Sequence, residues 1–215
     1  DFCLSRGLGD VYKRQINKYQ RHYSFSEIKV YFNKDWQSKM GVFIELRGQG
    51  CRQYEEYMEN NVNNWVTLMK RISECHSNVT RLDIANDIFD DSLSVPLIYS
   101  YCKKQLCIST AKTFDYHEKS LLENGEKVGE MVTIGVRGTQ QWCVYNKLLE
   151  QKLDQELPNT PLSWTRAELR CWQEKANLLA KQIKEGRPLK EIYFEVINGH
   201  YRFVSPRDKL SLIHI

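Results

Sequence analysis

No run of 18 apolar residues occurs in this 215-residue chain, and its mean hydropathy is −0.57, so no membrane-spanning helix is expected. No C-x-x-C pair occurs either. The seven cysteines, at positions 3, 51, 75, 102, 107, 143 and 171, form an odd and scattered set, which suggests neither a zinc site nor a disulfide framework. A reducing cytoplasm is the simplest setting for them. Glycine and proline are modest, at 11 and 5, and the composition excludes a collagen-like, low-complexity or strongly disordered chain. A large excess of one charge is also missing. Lys and Arg number 31 against 27 Asp and Glu, a formal +4, which is compatible with nucleic-acid binding without arguing for it. No internal repeat and no domain linker stands out. What is present is 41% hydrophobic and 12% aromatic residues, enough for one ordinary domain or one with a small appendage.

The two ends read differently from the rest. Residues 1–15 (DFCLSRGLGDVYKRQ) and 209–215 (KLSLIHI) show no clear amphipathic periodicity, and the first lacks the long apolar region of a signal peptide. Their GDVYKRQ and LSLIHI strings resemble translated sequencing-adapter ends of metagenomic gene calls. The expected native segment is therefore 16–208, truncated at both ends. Without the two ends, 27 basic and 25 acidic residues remain, a net +2.

Periodicity predicts strands at Glu27–Asn33 and Met40–Arg47, joined as a hairpin across the polar KDWQSK, with Gly48-Gln-Gly50 breaking the second. Apolar residues at 3–4 spacing predict a helix from Arg52 to Cys75. Val79–Ile88 reads as a strand, and Leu93–Leu106 as a helix with Pro96 near its first turn. Residues 108–129 are polar and carry the turn signal Asn124-Gly125. Met131–Arg137 and Gln141–Asn146 read as strands around Gly138, Lys147–Leu157 as a short helix and Trp164–Cys171 as another strand. Helices follow at Glu174–Glu185 and Leu189–Ile197. Hairpins outnumber crossovers, which predicts an α+β fold with a mainly antiparallel sheet.

Three segments carry candidate chemistry. In Arg81-Leu-Asp-Ile-Ala-Asn-Asp87, a strand puts Arg81, Asp83, Ala85 and Asp87 on one face. Two carboxylates there are costly if buried alone, and Mg2+ or Mn2+ would offset that cost through oxygen ligands. A solvent-facing polar side with an Arg–Asp pair explains the same pattern. In the second, Gly135-Val-Arg-Gly138 precedes Trp142-Cys-Val-Tyr-Asn-Lys147. Tyr145 stands beside a donor and a cation, and a phenol with a reference pKa of about 10 needs such help to act as a nucleophile. Arg137 could hold a phosphate bidentately. A half-buried strand tyrosine is the plainer account. In the third, Arg166, Glu168 and Arg170 share a strand face, and residues 163–190 carry seven Lys or Arg against three Glu. A basic face beside an acidic strand suits a metal-dependent enzyme acting on a phosphate backbone, and an ordinary salt-bridged sheet surface has the same composition.

Taken in order, RLDIAND, IGVRG…VYNKLLEQ and WTRAELR resemble the rolling-circle replication initiation factors of Gram-positive plasmids and phages, and the similar relaxases of integrative conjugative elements. That family runs R-x-D-x-A-x-D, then G-[SV]-R, then Y-[ND]-K with a following acid, then W-x-R-x-E. The matching residues are Arg81, Asp83, Ala85 and Asp87; Gly135 and Arg137; Tyr145, Asn146, Lys147 and Glu150; and Trp164, Arg166 and Glu168. An upstream VFIELRGQG, with Glu45, is also similar to phage-type members. Two positions depart from the pattern: Asn86 stands where an apolar residue is usual, and Gly138-Thr139 follows Arg137.

The resemblance implies an HUH-endonuclease-like central antiparallel sheet flanked by helices, with acids in place of the histidine pair. The chain has no H-x-H, which agrees. It further implies a DNA nickase. Tyr145 would attack an origin phosphodiester, leaving a 5′-phosphotyrosine and a 3′-hydroxyl that starts replication, with Lys147 and Arg137 assisting. Asp83, Glu45 and Asp87 would hold Mg2+ or Mn2+, and Arg81, Arg166 and Arg170 would contact DNA. The implied partners are single-stranded or hairpin origin DNA, a helicase and a second copy of the chain. A non-catalytic DNA-binding protein of this fold and a metal-dependent nuclease using water are the alternatives.

Overall fold

The computed structural model describes residues 19–35, 39–59, 64–151 and 161–204, together with the backbone of 212–213. The chain forms two compact units, Asp1–Asn64 and Trp65–Ile215.

The first unit is a three-stranded antiparallel meander, β1 (Arg21–Phe25), β2 (Ile28–Phe32) and β3 (Phe43–Leu46), followed by helix α1 (Gly48–Glu59). Aromatic residues from all three strands knit it together. Tyr31 is buried and lies 5.7 Å from the Phe43 ring, while Tyr23 stacks on Phe32 at 4.9 Å. Gly50 lets α1 pass close to β2, since a Cβ there would come 2.9 Å from the Glu27 carbonyl oxygen.

The single helix predicted over 52–75 is two helices. Helix α1 ends at Glu59, and α2 (Trp65–Glu74) opens the second unit. The sequence between them is NNVNN, and asparagine favours caps and turns over helix interiors. Periodicity ran through this boundary because apolar spacing was kept on both sides of it.

The second unit continues with β4 (Arg81–Ile88), α3 (Val95–Lys103), β5 (Cys107–Ser109), β6 (Phe114–Ser120), β7 (Lys127–Val136), β8 (Gln140–Asn146), α4 (Lys147–Gln151), β9 (Thr165–Trp172), α5 (Gln173–Lys184), α6 (Leu189–His200), β10 (Tyr201–Val204) and β11 (Leu212–Ile213). Strands β4, β9, β8, β7 and β6 make an antiparallel sheet in that order, and β11, β10 and β5 a smaller one. The unit is thus α+β with an antiparallel sheet flanked by helices, as the sequence predicts. The helix expected over 147–157 is seen as α4, and its remainder lies outside the described residues.

Alternation builds the large sheet. Every second residue of β9, from Thr165 to Cys171, is buried, while Arg166, Glu168, Arg170 and Trp172 are half-exposed. The buried face carries Ile84, Ala167, Leu169, Trp142, Val144, Val132 and Ile134. Helix α5 lays Ala176, Leu179, Ala180 and Ile183 against it, an i, i+3, i+4, i+7 stripe, and α6 adds Ile192, Tyr193 and Ile197. Fully burying each large side chain contributes about 1.5–3 kcal/mol. The polar tips inside this core are satisfied in a chain: Trp142 Nε1 donates to the Tyr193 hydroxyl at 3.0 Å, which donates to the Ala167 carbonyl at 3.1 Å. With helices on one face, the chemistry-bearing residues share the other.

Candidate functional site

Strand register places the three sequence motifs side by side on the polar face. Asp87 of β4 opposes Arg166 of β9, which opposes Tyr145 of β8. One step along, Ala85, Glu168 and Cys143 form the next row, and Asp83, Arg170 and Gln141 the row after. Residues some 80 positions apart in sequence are therefore direct cross-strand neighbours.

Asp83, Asp87 and Glu168 on this face are each held by an arginine, while Asp115 of the edge strand β6 is exposed on it. Arg166 donates from Nε and Nη2 to the two oxygens of Asp87, each at 2.7 Å, and Trp164 Nε1 donates to the same carboxylate at 2.8 Å. Arg170 donates twice to Glu168, at 3.2 and 2.8 Å. Arg81 engages Asp83 at 2.5–3.0 Å, and its guanidinium lies 5.1 Å from the Trp172 ring centre. These are forked, charge-assisted contacts, which fix geometry as well as charge. Burial alone would raise the Asp87 carboxyl, but the hydrogen bonds from Arg166 and Trp164 outweigh it and hold it below its ordinary value.

Tyr145 is half-buried at the end of this row. Burial, reinforced by the nearby charge of Glu168, pushes its phenol up to about 12, while Arg166 opposes the rise through its charge and a hydrogen bond. Lys147 lies 5.7 Å from the Tyr145 ring centre, buried and paired with Glu150. It is fixed there because its backbone N–H donates to the Trp164 carbonyl at 2.8 Å, tying the start of α4 to the entry of β9. The site therefore gathers a phenol that burial keeps protonated, a forked arginine and a buried ammonium, and the two cations suit a phosphate.

Arg137 is not beside Tyr145: it stands in the exposed β7–β8 turn, and β8 separates the two by about 17 Å at the usual strand rise. Glu45 belongs to the first unit, where it accepts a hydrogen bond from the Tyr31 hydroxyl at 3.0 Å and pairs with Arg47 at 3.0 Å. Asp87 already accepts three N–H bonds, so it is engaged in holding Arg166 rather than offering open lone pairs. Asp83 remains on the polar face as expected. Among the described residues, no three or more His, Cys, Asp or Glu side chains are gathered as a metal ion requires. Of the expected set, Asp83 and Asp87 share the polar face of the second unit, and Glu45 belongs to the first. Glu168, absent from the expected ligands, is the acid that faces Ala85 and lies in electrostatic reach of Arg81, Arg170 and Tyr145. Its signal was the small residue opposite it: Ala85 leaves the space into which a carboxylate can point.

In sequence and fold, the chain is similar to replication initiators. A replication initiation factor family matches residues 77–212, and a rolling circle replication initiation protein N-terminal domain matches residues 2–71. NicK of Bacillus subtilis (strain 168), a candidate DNA relaxase, is 28% identical over 194 residues, covering 89% of this chain and 55% of its own. The chain thus spans about half the length of that curated relative. The structure of a rolling circle replication initiator protein from Geobacillus stearothermophilus superposes with a TM-score of 0.70 at 26% identity, over 85% of this chain and 67% of that one.

Proposed function

The chain belongs to the replication initiation factor family, and from that premise we propose that it is a DNA-nicking domain that starts rolling-circle replication with Tyr145 as nucleophile. The observation that carries the reading is the row Asp87–Arg166–Tyr145, which sets a guanidinium fixed at two points against the phenol. The Tyr145 Oη attacks the scissile phosphorus of an origin strand. A tyrosyl O–P bond forms as the P–O3′ bond breaks, the phenol gives up its proton, and the departing 3′-oxygen takes one to become the 3′-hydroxyl. The products are a 5′-phosphotyrosine and a primer end.

Because burial raises the Tyr145 phenol to about 12, few molecules hold a phenolate at neutral pH without help. Arg166 supplies part of that help, and the Lys147 ammonium stands close enough to the ring to supply more. Asp87 acts through Arg166, and Trp164 holds Asp87 in turn. Arg81 and Arg170 on the same face are placed to receive phosphates of the bound strand.

A divalent cation fits this face in donor type, since Asp83 and Glu168 offer hard oxygens on either side of Arg170. These two residues would hold it in exchange for their arginine partners. When bound, Mg2+ or Mn2+ supplies Lewis-acid polarisation of the scissile phosphate.

The test is incubation of the protein with Mg2+ or Mn2+ and a hairpin oligonucleotide. The expected result is a denaturation-resistant protein–DNA adduct, lost in Tyr145→Phe, with the tyrosine as the modified residue. Cleavage that persists in Tyr145→Phe would mean that water is the nucleophile. Absence of cleavage in the wild type, with DNA still bound, would leave a binding protein.

A further inference from the structure

We propose that the end of the large sheet opposite Tyr145 is a second contact for the DNA backbone, about five phosphates along a stacked strand from the one attacked. The inference rests on the nicking function proposed above and extends it to the length of the footprint. Strand β8 runs from Tyr145 to Gln140, about 17 Å. A stacked strand advances about 3.4 Å per nucleotide, which gives the five.

The structure collects cations at that far end. Arg137 occupies the β7–β8 turn, which is stiff: Gly135 and Gly138 hold φ values of +106° and +97°, and Thr139 donates its N–H at 3.3 Å and its hydroxyl at 3.1 Å to the Val136 carbonyl. The Trp172 N–H donates to the Thr139 carbonyl at 2.9 Å, which sets the turn against the end of β9 and the first turn of α5, where Lys175 projects into solvent. On the other flank, the Gly135 N–H donates to the Thr113 carbonyl at 3.0 Å, so Lys112 borders the turn as well. Arg81 starts β4 beside Trp172.

Arg137, Lys112 and Lys175 are exposed, and among the described residues no ion pair engages them. Against these three and Arg81 stand, among the described residues, Asp83, paired with Arg81, Glu174 in the same turn of α5, and exposed Asp115 three residues beyond Lys112. At the Tyr145 end the balance is different, because Arg166 and Lys147 each have an acid partner. Three cations outside any ion pair among the described residues therefore lie at a fixed distance from Tyr145, where a polyanion leaving the site would pass. Lone ammonium and guanidinium groups on a surface of this kind contact phosphates and position the nucleic acid without reading its sequence.

The experiment measures binding in EDTA, separately from cleavage, with the full chain and a labelled hairpin oligonucleotide carrying a stem of about ten base pairs. Anisotropy is followed across salt concentrations. For Arg137→Ala/Lys175→Ala, the slope of log affinity against log salt becomes shallower than wild type by about 1.8, or 0.9 per lost phosphate contact. Lys104→Ala/Lys190→Ala removes the same charge elsewhere and keeps the wild-type slope. With the stem cut to about three base pairs, too short to span the distance, the wild type and Arg137→Ala/Lys175→Ala converge. Equal slopes for wild type and Arg137→Ala/Lys175→Ala on the long stem, or an equal loss in the control, would overturn the proposal. A wild type that shows the slope difference but forms no Tyr145 adduct would overturn the nicking function and leave this contact standing.

Discussion

Replacing Asp87 by Asn tests whether that carboxylate serves as an anchor for Arg166 or as a metal ligand. The substitution keeps the side-chain shape and one acceptor oxygen while removing the charge. Asp87 accepts two bonds of 2.7 Å from Arg166 and one of 2.8 Å from Trp164, with side chains 29% and 18% exposed for Asp87 and Arg166. A charge-assisted hydrogen bond contributes about 1.5–3 kcal/mol and a neutral one about 0.5–1.5. Losing the charge and one partner, and discounting for partial exposure, Asp87→Asn should cost about 1–2 kcal/mol. For a unit of this size, that lowers Tm by roughly 3–6 °C. The pH dependence has a definite sign. The folded carboxyl sits below its unfolded value, so its stabilisation is full above the unfolded pKa of about 3.9 and is lost as pH falls through the folded one. The gap in Tm between wild type and Asp87→Asn should therefore be open at pH 7 and close below about pH 4. Thermal denaturation by circular dichroism reads both, and adding Mg2+ gives a third reading. As an anchor, Asp87→Asn keeps whatever rise in Tm Mg2+ gives the wild type. An unchanged Tm at pH 7, a gap that persists in acid, or an Mg2+ effect abolished by Asp87→Asn would each refute the anchor assignment.

Three further outcomes follow from the same geometry. Asp83→Ala should abolish both the Mg2+-dependent rise in Tm and adduct formation, whereas an unchanged Mg2+ titration would remove Asp83 from the ligand set. Titration of tyrosinate absorbance, taken as wild type minus Tyr145→Phe, should show no ionisation of this phenol until about pH 11 and a midpoint near 12, because burial opposes its charge; a midpoint at the ordinary value of about 10 would refute the buried environment. Gly135→Ala should destabilise the second unit by about 2–4 kcal/mol, since φ is +106° and the new Cβ would stand 2.4 Å from the Gln140 carbonyl oxygen; a variant as stable as wild type in urea denaturation would contradict that contact.

The polar face was legible because alternation is a local property. Arg81, Asp83, Ala85 and Asp87 share a face in any straight strand, and so do Arg166, Glu168 and Arg170. What alternation cannot give is register across the sheet, and here register decides the chemistry. It joins Asp87 to Arg166 and Tyr145, while the extended length of β8 puts Arg137 at the far end despite only seven intervening positions in sequence. Asp87 was read as a metal ligand because its partner Arg166 lies some 80 residues away, invisible to local spacing, whereas the Arg81–Asp83 pair was already visible in the strand pattern. Strand β6 was missed for a related reason: FDYHEKS is an edge strand with a polar outer face, so its composition looks like a loop. Short β1, β5 and β10 gave too few residues for a period to emerge.

Strand β9 is last among the five in the chain yet second in the sheet, inserted between β4 and β8. During synthesis, β4 and β8 emerge well before it; β8 can pair with β7 at once, but its other edge and the whole of β4 stay open until Thr165–Trp172 leaves the ribosome. A nascent chain therefore carries Tyr145 on one open edge and Asp87 on another, with Arg166, which links them, still unmade. The row Asp87–Arg166–Tyr145 is completed by one strand, late and all at once. A prematurely terminated chain would expose unpaired β4 and one open edge of β8, a substrate for quality control.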